Sequence, residues 1–268
     1  MNRWLAALAL PLLIGAKAAP SPAPHRIVSL NLCADQYLLA LADREQIAAL
    51  TDLARDPQMS AAAAKARDVP VSKGSAEDVI ALRPDLIIAS PWQRRETVAM
   101  LQDRGIARLD LPIANSYADI VAQIRTVAAA VGHKARGERL IADMNARLAR
   151  LPHDVGKGRV AAYYQRRGFL TGTGTLVDDL MHQLGLVNLA AKLEKPALAR
   201  IGLEEIALAR PDYLIVESDA EKVRDRGTEM LHHPLLDPIP RLEVPQAWTV
   251  CGGPAYVLAA ESLAAQLR

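Results

Sequence analysis

The stretch Glu77-Asp78-Val79-Ile80-Ala81-Leu82-Arg83-Pro84-Asp85-Leu86-Ile87-Ile88 returns 127 residues later as Glu204-Glu205-Ile206-Ala207-Leu208-Ala209-Arg210-Pro211-Asp212-Tyr213-Leu214-Ile215. The leading Glu, the Arg-Pro-Asp triplet and the final Ile are identical, and other positions differ conservatively. In each copy, apolar residues at helical spacing run into a Pro, which disfavours helix in the residue before it. A short apolar run follows, of the length and composition of a buried parallel strand. A helix-to-strand joint used twice predicts an α/β fold. Its spacing is too long for a solenoid and predicts two similar lobes.

Ahead of the repeat, Met1 to Ala18 reads as a cleaved signal peptide, with Arg3 at its positive end, an apolar run over Trp4–Ile14 and the small-x-small site Ala16-Lys17-Ala18. The run is short and broken by Pro11, against a retained anchor. No Cys follows the cleavage point, so the chain is not expected to be a lipoprotein. Cleavage removes Arg3 and Lys17 from the 32 Lys and Arg, which then balance the 30 Asp and Glu. A neutral chain argues against a nucleic-acid or anionic-membrane binder, whose affinity needs a basic surplus. Residues 19–24, Ala-Pro-Ser-Pro-Ala-Pro, form a flexible leader.

The rest alternates strand and helix. A first lobe covers residues 25–115, with strands at Arg26–Leu30, Ile47–Leu50, the first repeat and Ala107–Leu111. A helical segment, 116–152, holds Tyr117–Val131 and an amphipathic run from Lys134 to Leu151. Eighteen helical residues span roughly 27 Å, enough for a strut between lobes. The second lobe, 153–268, opens with a strand at Arg159–Tyr164 and is expected to end in a short strand at Trp248-Thr249-Val250 and a final helix. The prediction is therefore two Rossmann-like lobes with mostly parallel sheets, joined by one long helix, with a ligand cleft between them.

Ligands of open α/β sheets bind beyond the carboxyl ends of the strands. The residues there are Asn31 and Cys33, Trp92 with Arg94 and Arg95, Tyr164, Gln165, Arg166 and Arg167, and Trp248 with Cys251. Cys33 and Cys251 fall in different lobes, and three roles stay open: an interlobe disulfide, two cleft thiols, or two unrelated buried residues. An exported α/β enzyme using Cys33 is the alternative to a binder, but none of the six His falls in a recognisable pattern with it. No catalytic constellation, cofactor or metal-ligand set is expected. Thr171-Gly172-Thr173-Gly174-Thr175 before a helix lacks the Lys of a phosphate loop and reads as a Gly-rich cap.

The run Arg26-Ile27-Val28-Ser29-Leu30, Gly74 to Glu77, Pro84 to Ile87, the helix near Ala135–Leu151, Gly185 to Asn188 and Glu204 to Asp212 together resemble the periplasmic substrate-binding proteins of ABC importers for cobalamin, iron-siderophores and haem. The resemblance implies a periplasmic, non-catalytic monomer that captures a metal chelate and delivers it to a permease dimer. It implies that Glu77 and Glu204 dock to permease arginines, and that cleft aromatics and Arg meet the ligand. The pairs Arg94-Arg95 and Arg166-Arg167 would suit carboxylates, whereas an amide-rimmed corrinoid would lean on the aromatics.

Overall fold

A computed structural model describes residues 23–92, 95–152, 154–218 and 225–268. The expected signal peptide and most of the leader lie outside them, as does Arg94. The chain runs β1 (Ile27–Ser29), α1 (Leu32–Leu41), β2 (Ile47–Thr51), α2 (Ala63–Ala66), β3 (Val71–Ser72), α3 (Ala76–Ala81), β4 (Leu86–Ala89), α4 (Arg95–Leu101) and β5 (Ala107–Asp110). Two helices follow, α5 (Tyr117–Ala130) and α6 (Lys134–Leu148). The remainder is β6 (Val160–Gln165), β7 (Phe169–Thr171), α7 (Leu176–Gln183), β8 (Val187–Asn188), α8 (Leu189–Lys192), β9 (Leu198–Arg200), α9 (Leu203–Ala209), β10 (Tyr213–Glu217), α10 (Arg226–Glu229), β11 (Arg241–Val244), α11 (Gln246–Thr249) and α12 (Tyr256–Gln266).

The first sheet has the order β3-β2-β1-β4-β5 and every pairing in it is parallel. The second has the order β11-β10-β6-β7-β9, with β8 also beside β6. There β6 pairs in parallel with β10 and β8, whereas β7 and β9 add antiparallel strands on one side.

The repeat has a structural reason. Asp85 N donates to Arg26 O while Asp85 Oδ1 accepts from Arg26 N, both at 3.0 Å. Asp212 does the same at the head of β6, donating to Val160 O at 2.8 Å and accepting from Val160 N at 2.7 Å. Each Asp thus clasps the start of its own lobe's first strand. The preceding Arg83 and Arg210 both take a left-handed φ, 45° and 47°, which ends the helix and turns the chain into the strand.

Each sheet buries both faces, and the two faces go to different places. Ile27, Leu86 and Ile88 of the first sheet, with Ala161, Tyr163 and Ile215 of the second, enter one core that continues through α1, α5, α6, α7 and α12. The opposite faces build separate cores, Val28, Ile87 and Ala89 in one, Ala162, Tyr164, Leu214 and Val216 in the other.

Helix α6 begins against the first sheet's elements, where Arg136 pairs with Asp43 at 2.6 Å and donates to Leu41 O at 2.8 Å. It ends against the second, where Arg147 pairs with Glu261 of α12 at 2.6 Å. It stops at Leu148, three residues short of the expectation, and lies against α5. The last strand also differs from expectation: it is Arg241–Val244, and Trp248 and Thr249 belong to α11. Pro245 stops the strand, and its fixed φ, −59° here, suits entry into a helix.

Candidate functional site

A cavity of about 420 Å³ lies where the carboxyl ends of the two sheets meet. The first sheet contributes Asn31 after β1, Ser90 and Trp92 after β4, and Leu111 to Asn115 after β5. The second contributes Tyr163 and Gln165 of β6, Glu217 at the end of β10, and Gln246, Thr249 and Val250 after β11. Thr175, Leu176 and Val177 close one side from the head of α7. The walls are apolar and carboxamide-rich, and Trp92 and Ile113 stand 71% and 69% exposed at its edge.

The polar side chains are held in place from behind. Asn31 caps α1, its Oδ1 accepting from Cys33 N at 2.8 Å and Ala34 N at 3.1 Å. Thr171 Oγ1 donates to Gln165 Oε1 at 3.3 Å, and Gln165 Nε2 donates to Glu217 Oε1 at 3.1 Å. Tyr163 shares a 3.2 Å hydrogen bond with Thr249, and burial, helped by the Glu217 charge, pushes its hydroxyl well above the ordinary tyrosine range. A second hollow of about 350 Å³ shares Gln165, Glu217 and Gln246 with the cavity and adds Arg166, Arg167 and Asp225.

The two cysteines meet. Cys33 in the first turn of α1 and Cys251 just after α11 form a disulfide, with Cα atoms 5.3 Å apart, which ties the first sheet's side of the cleft to the second's. Beside it Tyr37 donates to Gly252 O at 2.7 Å. A Cβ on Gly252 would stand 2.5 Å from Ala114 Cβ, so only glycine permits this approach of the two lobes. In this disulfide Cys33 has no free thiolate to act as a nucleophile.

Of the residues expected in the cleft, Asn31, Cys33, Trp92 and Gln165 line the cavity. Arg166 lines the neighbouring hollow, and Arg95 a small separate one with Arg108 and Asp110. Tyr164 does not reach the cleft: it is fully buried in the second lobe's private core, because successive strand residues face opposite ways and Tyr163 takes the cavity side. Trp248 packs against the shared core while Thr249 and Val250 face the cavity. Cys251 is buried in the disulfide. Sequence reasoning missed Tyr163, Gln246 and Glu217, although an acid ending an apolar run, Tyr213-Leu214-Ile215-Val216-Glu217, was a usable signal.

The Thr-Gly-Thr-Gly-Thr segment proves to be a cap and a close approach. Thr175 Oγ1 accepts from Asp178 N at 3.2 Å at the start of α7, and a Cβ on Gly172 would lie 2.0 Å from Pro196 O.

Glu77 and Glu204 occupy the second residue of α3 and of α9, and both are exposed. Their neighbour Glu205 is engaged instead, pairing with Lys195 at 2.7 Å.

Two α/β sheets that share one cavity at their carboxyl ends, with a helix running from one to the other, define a bilobal binding protein. The family model described as periplasmic binding protein matches residues 27–240, and the chain belongs to that family. Membership implies a periplasmic location. The chain is 26% identical over 256 residues to the vitamin B12-binding protein of Pectobacterium carotovorum subsp. carotovorum, covering 91% of this chain and 88% of that one. Its fold matches the periplasmic heme-binding protein RhuT from Roseiflexus sp. RS-1 in apo form, with a TM-score of 0.73, 24% identity and coverage of 91% and 97%. It also matches a periplasmic heme binding protein from Pseudomonas aeruginosa, with a TM-score of 0.71, 19% identity and coverage of 91% and 92%.

Proposed function

We propose that the protein captures a metal chelate, a corrinoid, haem or iron-siderophore complex, in the cleft between its lobes and delivers it to an ABC importer. In this reading the mature chain is an exported monomer freed from its signal peptide, with residues 25–115 and 153–268 as lobes and 116–152 as the connection. The carrying observation is the matched placement of Glu77 and Glu204. Two exposed carboxylates at the same position of a repeated element are what the two arginine sites of a permease dimer can grip. Both also sit where the helix dipole favours an acid, which is compatible with docking.

The family and the B12-binding relative support the ligand class. Trp92 at the cavity edge gives a direct reporter. Titrating the mature protein with cyanocobalamin, haemin and a ferric hydroxamate should give saturable quenching by one of them, after correction for absorption by the ligand. Replacing Glu77 and Glu204 together by Ala should abolish uptake and leave that affinity unchanged. An equal fall in affinity would refute the docking role.

A further inference from the structure

Among the described residues lining the main cavity, Glu217 is the only one that carries a formal charge. It is 5% exposed, at the carboxyl end of β10, and the Thr171-Gln165 relay fixes its Oε1. Of the arginines expected to meet an anionic ligand, the described ones, Arg95, Arg166 and Arg167, stand outside this lining. Arg166 and Arg167 line the neighbouring hollow, where Asp225 and Glu217 already face them. Arg166 Nε is 3.9 Å from Glu217 Oε2, beyond hydrogen-bonding reach. A ligand in the main cavity therefore meets the acid before it meets any of these three guanidiniums. The other polar residues of the wall, Asn115, Gln165, Gln246 and Thr249 among them, are neutral.

From this arrangement we infer that Glu217 determines specificity by the chemistry of the ligand's fringe: it accepts a hydrogen bond from a carboxamide or ammonium group and repels a carboxylate. The inference rests on the reading of the cleft as a chelate site and narrows it to chelates with donor-bearing rims. A buried carboxylate strengthens a hydrogen bond from a neutral or cationic donor, whereas two carboxylates brought together out of water oppose binding. The rejection of the wrong fringe is then as much a part of the site as the contacts to the right one.

Matched ligands test it. Dicyanocobinamide carries carboxamides around its ring, and dicyanocobyrinic acid presents the same ring with carboxylates; haemin and its bis-amide form a second pair. The wild-type protein should bind the amide member of at least one pair ten-fold or more tighter than its carboxylate partner. Glu217→Gln keeps the shape and the acceptor for Gln165 but removes the charge, and should shrink that ratio ten-fold, mainly by tightening the carboxylate member. A wild-type protein that binds the carboxylate member equally well or better overturns the inference without any variant, and so does a ratio unchanged in Glu217→Gln; in both cases chelate binding itself stands. If the folded wild-type protein binds neither member of either pair, the inference falls, and if cyanocobalamin and a ferric hydroxamate also fail, the chelate reading falls with it.

Discussion

Asp35 is fully buried behind the cleft, accepting from the backbone N of Thr51 at 3.2 Å and from its hydroxyl. Burial pushes its carboxyl up to about 6, against the lowering effect of the Ser29 and Thr51 hydrogen bonds. Since the folded value exceeds the unfolded one, 3.8, the neutral form is favoured by folding. The associated stability, on the order of 3 kcal/mol, is complete below about pH 4 and is lost as pH rises through about 6. Asp35→Asn is neutral at every pH and should not show this loss. Urea unfolding at pH 4 and pH 7 should find wild type ahead of the variant by more at pH 4 than at pH 7. Parallel behaviour at the two pH values would mean that Asp35 titrates normally. The same scale explains what the sequence could and could not disclose about the site. The duplicated Glu, Arg-Pro-Asp pattern was legible because both copies make the same clasp. The choice between Tyr163 and Tyr164 was not, because β6 is buried on both faces and carries no alternation of apolar and polar residues to fix its parity.

At the scale of elements, the parallel strands at the centre of each sheet announced themselves as apolar runs after helices, while the pieces that depart from that pattern did not. β11 alternates, Arg-Leu-Glu-Val, between two prolines, and β7 and β9 are three residues each, too short for periodicity to show. The α5–α6 pair was visible as two amphipathic stretches, but its close packing depends on a single small residue. A Cβ on Gly137 would stand 2.6 Å from Ala128 Cβ, so the two helices approach only across a glycine. Gly137→Val should force them apart and cost about 1–3 kcal/mol in spite of the better helix propensity of a side chain there. A urea midpoint equal to wild type would show that the pair can relax at no cost. Because α6 contacts both lobes, the same variant should loosen Arg136 and Arg147 together rather than one end alone.

At the scale of the molecule, one core continues through both sheets and the helices between them, so the lobes are not independent bodies on a flexible joint. The continuous helix, the Tyr37 to Gly252 hydrogen bond and the Cys33–Cys251 disulfide restrict the lobes to small movements about the cleft. The disulfide closes a very long loop, with 218 residues separating its ends, and constraint of the unfolded chain grows with loop length. Cys33→Ser with Cys251→Ser should lower stability by about 2–5 kcal/mol in urea unfolding, with both lobes still lost in one transition. Two separated transitions would show that the bond, and not the shared core, couples the lobes. The same bond also reports on the history of the chain. Cys33 is made early and its partner belongs to the last turn before the final helix, so the thiol of Cys33 has no mate until every strand of both sheets has been delivered. A chain cut short anywhere before Cys251 retains an odd sulfur, and only one that has passed that residue can close the ring: the covalent tie at the cleft doubles as a mark that both sheets have been made.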